Sequence, residues 1–587
     1  MSRSALGFWH SELGGIPEGS LYKYEITGRD GVTRLKTDPF AVSSELRPGT
    51  ASVAWELPDF EWNDGKWMRN RAETDIYSAP VNIYEIHAGS WRRGQIPGID
   101  YKNNWQEAEA RRAEEPFLNY REMADELAAY LLEMNYTHVE LMPMCEHPLD
   151  ESWGYQTGSY YALTSRFGKP EDFMYFVDRM HRSGIGVIMD WVPGHFCKDE
   201  SYLYKFDGTY LYEYEAENKR ENPLWGTANF DYSKRSVKNF MISNGIYWLK
   251  EYHIDGLRID AVANIIYYDY NCMHAVRPLN AYGGNENLEA ALFLREFNIA
   301  VHEAAPGAVT IAEDSSTFSG VTARPEQGGL GFDFKWNMGW MNDTLEYMSA
   351  DPGKRRILHN KLTFAMMYAH TERFLLSLSH DEAVHGKKTM LDKMYGPLED
   401  KFSEYRTFLL FMTCHPGKKL LFMGSEFGQI MEWRFYEALE WKMLLYPTHG
   451  MLHEYVKALN GIYTTENALS SGDYDAGGFR WIDADDRDRN VYSFIRQDPE
   501  NDRNFLIALC NFSDKTYDDL ALGVPRFCDY RIIFRTVPED QEEEIIIDDP
   551  SAGLMRPKPE GIGQMPFHIR LKLEAYSGMI IKPFFRY

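Results

Sequence analysis

Three carboxylate residues each stand where a predicted β-strand gives way to a loop. Asp260 lies in DGLRIDAVANII, Glu313 in TIAEDSS and Asp381 in LSHDEAVHGKKTM, each after an apolar run. Acids at the ends of successive parallel strands converge on one mouth of a barrel. Cleavage of a glycosidic bond needs such a set, because one carboxylate attacks the sugar, one acid protonates the leaving oxygen and a third holds the sugar.

The sequence around two of these acids favours particular roles. Arg258 precedes Asp260 by two residues, and residues two apart on a strand share a face, so the guanidinium is predicted to keep Asp260 ionised. Glu313 ends the apolar strand AVTIAED, where burial raises the pKa of a carboxyl group and suits it to general acid catalysis. Either motif alone is more often structural.

Further polar residues follow the predicted third and seventh strands. Asp190 and His195 lie in DWVPGH, and His380 directly precedes Asp381. A single loop histidine is usually structural. Here, however, four strand ends carry a carboxylate and two of them add a histidine, so the combination predicts one active site.

Eight predicted strands alternate with helices along the middle of the chain. The strands are VNIYEIHAG, THVELMPM, GVIMDWV, IDGLRIDAV, AVTIAED, GFDFKWNMGW, FLLSLSHDE and KKLLFMGSEFG, and KLTFAMMYAHTE is among the predicted helices. Strict alternation predicts an α/β protein with a parallel sheet, and eight units predict a (β/α)8 TIM barrel. An open doubly wound sheet is the rival fold, but no glycine-rich phosphate loop follows the first strand.

The flanking segments predict two β-rich domains. Residues 1–78 show short strand-like patterns closed by WNDGKWMRNR, typical of a partial N-terminal β-sandwich. Residues 79–468 form the predicted barrel, and residues 469–587 a C-terminal all-β sandwich. Trp62 and Trp67 either pack on the barrel as a buttress or face solvent as a sugar platform.

Composition limits the classes of partner. The chain has 587 residues and a net charge of −26, which argues against binding to nucleic acid because that affinity depends on clustered Lys and Arg. The N-terminus lacks an apolar signal region and no stretch approaches eighteen apolar residues, so we expect no membrane contact. The loops show no calcium or zinc ligand pattern, so neither a metal nor another cofactor is expected.

The cysteines are isolated in the sequence. They are Cys145, Cys197, Cys272, Cys414, Cys510 and Cys528. Without a C-x-x-C pair or a dense framework, this usage suits a reducing compartment and predicts a cytoplasmic protein. A monomer is the favoured state.

The motifs resemble those of the α-amylase superfamily, with DWVPGH, GLRIDAV, IAED and LSHDE in family order. Within it they are most similar to the 1,4-α-glucan (glycogen) branching enzymes, which ESWGYQTGSYYALTSRFG, HIDGLRIDAVANIIY and GFDFKWNMGWMNDTL match almost word for word. The resemblance covers about residues 20 to 530. The start of the chain resembles the middle of the family's N-terminal carbohydrate-binding module, so earlier strands are expected to be missing.

The resemblance implies roles for single positions. Asp260 is the expected nucleophile, Glu313 the acid/base, and Asp381 a group that binds and helps to distort the reacting sugar. His195 and His380 are expected to hydrogen-bond that sugar, Tyr155 to stack on it, and Asp190 and Arg258 to support the others. It also implies a retaining transfer of an α-1,4-linked glucan chain to a 6-hydroxyl, which gives an α-1,6 branch in glycogen biosynthesis.

Residue types alone leave alternatives open. Water as acceptor would make the protein an α-1,4-glucan hydrolase, and a 4-hydroxyl would make it an α-1,4-glucanotransferase. An inactive glucan-binding scaffold is the rival of another class, against which the three intact acids argue. The long loop after the third strand is rich in aromatic residues, including Trp225, and these either cover the substrate or plug the loop onto the barrel.

Overall fold

Eight parallel strands close into a barrel in the computed structural model, which describes residues 1–4, 9–101, 105–270, 276–536 and 553–585. In chain order they are β1 (Asn82–Ile86), β2 (His138–Leu141), β3 (Gly186–Trp191), β4 (Gly256–Ile259), β5 (Val309–Ala312), β6 (Phe334–Trp336), β7 (Phe374–Leu378) and β8 (Lys418–Phe422). Each strand pairs with its successor and β8 pairs with β1, so the predicted (β/α)8 barrel is confirmed.

Helices cover most of the barrel's outer face. The long ones are Tyr120–Glu133, Pro170–Arg182, Arg235–Glu251, Leu288–Ala304, Met338–Ser349, Leu398–Cys414 and Pro447–Thr465. Shorter helices are Trp105–Ala110, Glu217–Arg220, Val262–Ile266, Pro352–Arg355 and Asn360–Thr363. The first long helix begins at Asn119, whose side chain accepts from two backbone N–H groups while Glu122 bonds back, which forms a capping box. Its Leu127 and Leu131 are buried on one face.

Three predicted elements differ from the structure. The connection from β5 to β6, which is described throughout, holds only a 3-10 turn at Pro325–Gln327, so strand–helix alternation is not strict. GFDFKWNMGW is a strand only to Trp336, because the Asn337 side chain accepts from the backbone N–H of Trp340 and caps the next helix. KLTFAMMYAHTE is helical only at Asn360–Thr363 and continues as the 3-10 segment Phe364–Met367.

The lower half of the barrel interior is a solid hydrophobic core. It consists of Val81, Ile83, Ile188, Val309, Ile311, Phe334, Trp336, Leu375 and Leu420. These side chains fill the barrel toward the N-terminal ends of the strands. Polar side chains near the C-terminal ends of the strands therefore face a single open mouth.

The N-terminal segment forms small antiparallel pairs. Ser2–Arg3 pairs with Trp9–His10, Leu21–Tyr22 with Ser52–Val53, and Tyr24–Thr27 with Thr33–Lys36. The WNDGKWMRNR segment, predicted to close this strand-like region, forms the helix Gly65–Glu73.

Trp62 and Trp67 both contact the N-terminal end of the barrel. The Trp67 indole Nε1–H donates to Asp255 Oδ1 at 2.8 Å, and its ring stacks on His181 at 5.2 Å. Trp62 stacks on His253 with ring centroids 3.8 Å apart. These contacts favour the buttress over the sugar platform.

Replacing both tryptophans with alanine is therefore expected to destabilise the protein. Each partly buried ring contributes about 1–3 kcal/mol of burial and packing, so the thermal unfolding temperature should fall clearly. Affinity for long glucans, measured by retardation in a glucan-containing gel, should stay unchanged. The exposed Lys66→Ala variant on the same helix serves as control. Unchanged stability with weakened glucan binding would identify a sugar platform instead.

The C-terminal region is all-β among its described residues. Five strands form one sheet in the order Phe479–Asp483, Val491–Asp498, Asn501–Asn511, Ser577–Phe584 and Asp529–Arg535. Tyr517–Val524 pairs with Phe567–Leu573 in a second sheet. A shared core that includes Ile507, Leu522 and Ile569 lies between the sheets, which confirms the predicted all-β domain.

Five of the six cysteines lie in the described residues, and all five are free thiols. Cys272 lies outside them. Every helix in the described ranges is too short or too polar to cross a membrane.

Candidate active site

A fully buried arginine organises the mouth of the barrel. Arg258, on β4, donates through Nη1 to both carboxylate oxygens of Asp190 at 2.9 and 2.8 Å, and to Asp260 Oδ1 at 2.8 Å. Its Nη2 lies 3.9 Å from Glu313 Oε2. The guanidinium also lies 4.4 Å from the ring centre of Trp336. The Arg258 cation therefore lies close to three carboxylates, one on β3 and one directly after each of β4 and β5.

Asp260 is held as a carboxylate. Burial alone would raise its pKa, but His195, whose Nε2 lies 3.6 Å from Oδ2, and the Arg258 charge outweigh burial and lower the pKa. The side chain keeps 14% of its exposure at the bottom of the mouth. An ionised, reachable oxygen next to a fixed cation is what nucleophilic attack at a sugar carbon requires.

The pKa of Glu313 is shifted in the opposite direction, upward. Burial, followed by the charges of Asp260 and Asp381, raises its pKa to about 7 against the lowering effects of Arg258 and the Ala261 N–H. Two neighbouring carboxyl groups with pKa values pushed apart are the usual signature of an acid paired with a nucleophile.

A left-handed residue links these two acids. Ala261 has φ 48° and ψ 48°, a conformation that costs a non-glycine residue about 1 kcal/mol or more. The turn points the Ala261 N–H at Glu313 Oε2 at 2.7 Å, and the Val262 N–H donates to the Glu313 carbonyl at 2.8 Å. The chain that follows Asp260 thus fixes the position of Glu313.

Tyr155 and His380 form the opposite flank of the mouth. The Tyr155 hydroxyl donates to Asp190 Oδ2 at 2.5 Å and lies 3.1 Å from His380 Nε2, and the two rings stack at 5.5 Å. Burial would lower the pKa of His380, but the charges of Glu85 and Asp381 raise it to about 9, so the imidazole is a cation at neutral pH.

Asp381 lies at the rim rather than at the bottom of the mouth. Its side chain is 50% exposed, against 13% for Glu313, and Oδ1 lies 3.5 Å from His380 Nε2. An exposed carboxylate at this position is free to accept hydrogen bonds from sugar hydroxyls. All eight residues singled out from the sequence thus belong to one connected cluster.

Sequence reasoning missed two buried acids inside the barrel. Glu85, on β1, accepts from the His380 backbone N–H at 3.0 Å and contacts its Nδ1 at 2.5 Å, so it sets the ring's orientation. Glu140 is in register with Glu85 on β2, and neither of its oxygens has a hydrogen-bond partner among the described residues. Burial and the Glu85 charge raise the pKa of Glu140. A charged residue within each apolar strand was the available signal.

The aromatic side chains of the loop after β3 differ in how deeply they are buried. Tyr202 and Tyr214 are 3% and 7% exposed and plug the loop onto the barrel. Trp225 is partly exposed, and its ring centre lies 4.8 Å from that of His195. Burial of Tyr202 and Tyr214 favours the plug for these two residues, and a role for Trp225 in covering the substrate stays a prediction. Within the described ranges, no group of His, Cys, Asp or Glu side chains is arranged to hold a metal ion.

The raised pKa of Glu313 predicts how the rate of cleavage depends on pH. A general acid must carry its proton, so kcat/KM for a glucan donor should fall about tenfold per pH unit above a midpoint near 7, the pKa of Glu313. A glycosyl fluoride needs no proton on its leaving group, so its alkaline limb should be absent. Constant kcat/KM for the glucan up to pH 9 would exclude Glu313 as the acid.

Three family models match the chain in the order of its parts. Carbohydrate-binding module 48 (isoamylase N-terminal domain) matches residues 1–41, the alpha amylase catalytic domain residues 123–225, and the alpha amylase C-terminal all-beta domain residues 481–583. A solved putative alpha amylase from Salmonella typhimurium superposes with a TM-score of 0.67 at 18% identity, over 97% of this chain and 91% of that one. Fold and matched domains define a barrel protein of the α-amylase class.

The sequences of curated relatives identify one family within this class. The 1,4-alpha-glucan branching enzyme GlgB 1 of Clostridium perfringens is 49% identical over 531 residues, which is 90% of this chain and 76% of that protein. The GlgB enzymes of Bacillus caldolyticus and Halothermothrix orenii are 45% and 44% identical, each over 98% of this chain and over 82% and 88% of their own lengths. The chain belongs to the family of 1,4-α-glucan branching enzymes.

Proposed function

We propose that this protein cleaves α-1,4 bonds of a neutral α-glucan and transfers the released chain to a glucan 6-hydroxyl, forming α-1,6 branches in glycogen biosynthesis. Membership of the branching-enzyme family supports the acceptor chemistry. One observation supports the chemistry of the site most strongly: the pKa of Asp260 is lowered and the pKa of Glu313 is raised, although both carboxyl groups lie near Arg258.

In the first step, Asp260 attacks the anomeric carbon of the donor sugar. A C1–O bond to the Asp260 carboxylate forms as the C1–O4 bond breaks, and the Glu313 proton moves to the departing O4. Arg258 keeps Asp260 ionised before attack, and His380 and Asp381 are proposed to hold hydroxyls of the same sugar. The product is a covalent glucosyl-enzyme with inverted configuration at C1.

In the second step, Glu313 acts as a base. It takes the proton of an acceptor 6-hydroxyl, O6 bonds to C1, and the bond to Asp260 breaks, which restores the carboxylate. Two inversions retain the α configuration. C1 of the transferred chain passes from O4 to Asp260 and then to O6 without ever becoming a free hemiacetal. Each complete transfer therefore leaves the number of reducing ends unchanged.

The wider organisation is proposed as well. Residues 1–78, 79–468 and 469–587 serve as N-terminal module, catalytic barrel and C-terminal domain. Tyr155 is proposed to stack on the reacting sugar. The free thiols of the described cysteines favour a cytoplasmic location. Activity as a monomer is part of the same proposal.

Incubation with amylose tests this proposal. Iodine staining should fall as long linear chains become branched, and debranching with an isoamylase should release new chains. A branching enzyme conserves the number of free reducing ends after each complete transfer, whereas an α-1,4-glucan hydrolase gains one for each bond broken. An α-1,4-glucanotransferase would yield no chains on debranching, and an inactive scaffold would leave the iodine stain unchanged.

A further inference from the structure

We propose that Trp225 is the platform on which the acceptor glucan chain lies, and that its ring keeps water from the glucosyl-enzyme. This inference rests on the proposed function and names the residue that favours a sugar hydroxyl over water as acceptor. It is drawn from the position of one side chain on the long loop after β3.

A small sheet holds Trp225 next to the nucleophile. His195–Cys197, Glu221–Asn222 and Thr227–Asn229 pair as three antiparallel strands, and Trp225 lies in the turn between the last two. Its ring is 4.8 Å from that of His195, whose Nε2 is 3.6 Å from Asp260 Oδ2. The same sheet therefore places a histidine against the nucleophile and an aromatic face just outside it.

The hairpin formed by Glu221–Asn222 and Thr227–Asn229 is attached to the side of the mouth that carries the proposed acid/base, Glu313. Asn222 Nδ2 donates to Asn264 Oδ1 at 3.2 Å, and Asn264 Nδ2 donates to Asn229 Oδ1 at 3.4 Å. Asn264 belongs to the helix Val262–Ile266, which directly follows the Ala261 N–H that binds Glu313. The leaving group and the acceptor must both reach Glu313, so an acceptor approaches on this side.

A second contact fixes the hairpin across the mouth. Gln156 Nε2 donates to the Trp225 carbonyl at 3.0 Å, and the preceding residue, Tyr155, lies on the opposite flank with His380. The turn carrying Trp225 is thereby held between the two flanks. A ring held in this way can bind a sugar without a large loss of side-chain entropy.

The chemistry of the ring fits an α-glucan. An indole offers a flat apolar face to the C–H groups of a sugar, and the bound chain displaces water from the space next to C1 of the intermediate. Tyr202 and Tyr214 cannot serve in this way, since they are buried, whereas Trp225 is partly exposed and its ring contacts that of His195 beside the nucleophile. The removal of Trp225 should therefore admit water without removing any group that makes or breaks a bond.

The test measures the ratio of hydrolysis to branching on amylose. For each variant, net gain of reducing ends reports hydrolysis, and chains released by debranching report α-1,6 bonds. Trp225→Ala should raise the ratio about tenfold or more, and Trp225→Phe, which keeps a ring, should restore most of the wild-type ratio. Leu224→Ala, at the exposed tip of the same turn, is the matched control and should leave the ratio unchanged.

Two results would overturn the inference, and they are distinguishable. If Trp225→Ala slows hydrolysis and branching in proportion, so that the ratio stays within twofold of wild type, Trp225 merely supports His195. If the wild-type protein produces one reducing end for each bond broken and forms no α-1,6 bonds, the proposed function fails. Trp225 would then have no acceptor chain to bind.

Discussion

Asp260→Asn and Glu313→Gln are each expected to lower the rate of glucan branching by about 10^4-fold or more, because each removes a group that makes or breaks a bond. Neither change should unfold the protein, since both side chains line the mouth rather than the core. Glu303→Gln, an exposed carboxylate on the helix Leu288–Ala304, is the matched control and should keep full activity. The measurement is the initial rate of α-1,6 bond formation, with thermal unfolding recorded in parallel.

A glycosyl fluoride donor separates the two roles. Glu313→Gln should still release fluoride in a first turnover, since fluoride leaves without a proton, whereas Asp260→Asn should not, since no covalent intermediate forms. Either variant retaining glucan activity within tenfold of wild type would contradict the assignment of that residue.

Replacing Arg258 with leucine is expected to have the other large effect. The change leaves Asp190 and Asp260 as buried or partly buried carboxyl groups without their cation, which costs about 3–5 kcal/mol of stability. Activity per folded molecule should fall by on the order of 10^3-fold, because Asp260 loses the charge that keeps it ionised. Thermal unfolding and specific activity measure the two losses.

Arg355→Leu is the matched control for this experiment. Arg355 is likewise fully buried, and its Nη2 donates to Glu404 Oε2 at 2.8 Å, but it contacts the C-terminal domain through the Phe512 carbonyl rather than the mouth. Its loss should lower stability by a similar amount and leave activity per folded molecule intact. Equal loss of specific activity in both variants would show that Arg258 acts only through stability.

The residues of the candidate active site were largely predictable because they follow strand periodicity. Arg258 and Asp260 are two residues apart on one strand, so their shared face, and hence their ion pair, could be read from the sequence. Glu313 follows an apolar run, which predicts burial and therefore a raised pKa, in the direction that the structure shows.

Long-range contacts and irregular segments were not predictable in this way. Glu85 meets His380 from 295 positions away, a distance that no local pattern encodes. The connection from β5 to β6 lacks an α-helix, and the backbone N–H groups of Gly320, Val321 and Thr322 instead donate to the Glu372 carboxylate. Trp225 could not be told from the buried tyrosines of its loop, because an irregular segment has no period that separates one face from the other.

The isotopic composition of the products formed from amylose in 18O-labelled water tests the central claim most directly. Hydrolysis places one water oxygen on C1 for each bond broken, whereas transfer to a glucan hydroxyl places none. We expect chains joined by new α-1,6 bonds and, after debranching in unlabelled water, reducing ends essentially free of 18O. Incorporation of one labelled oxygen per bond broken, without new α-1,6 bonds, would contradict the account and identify a hydrolase.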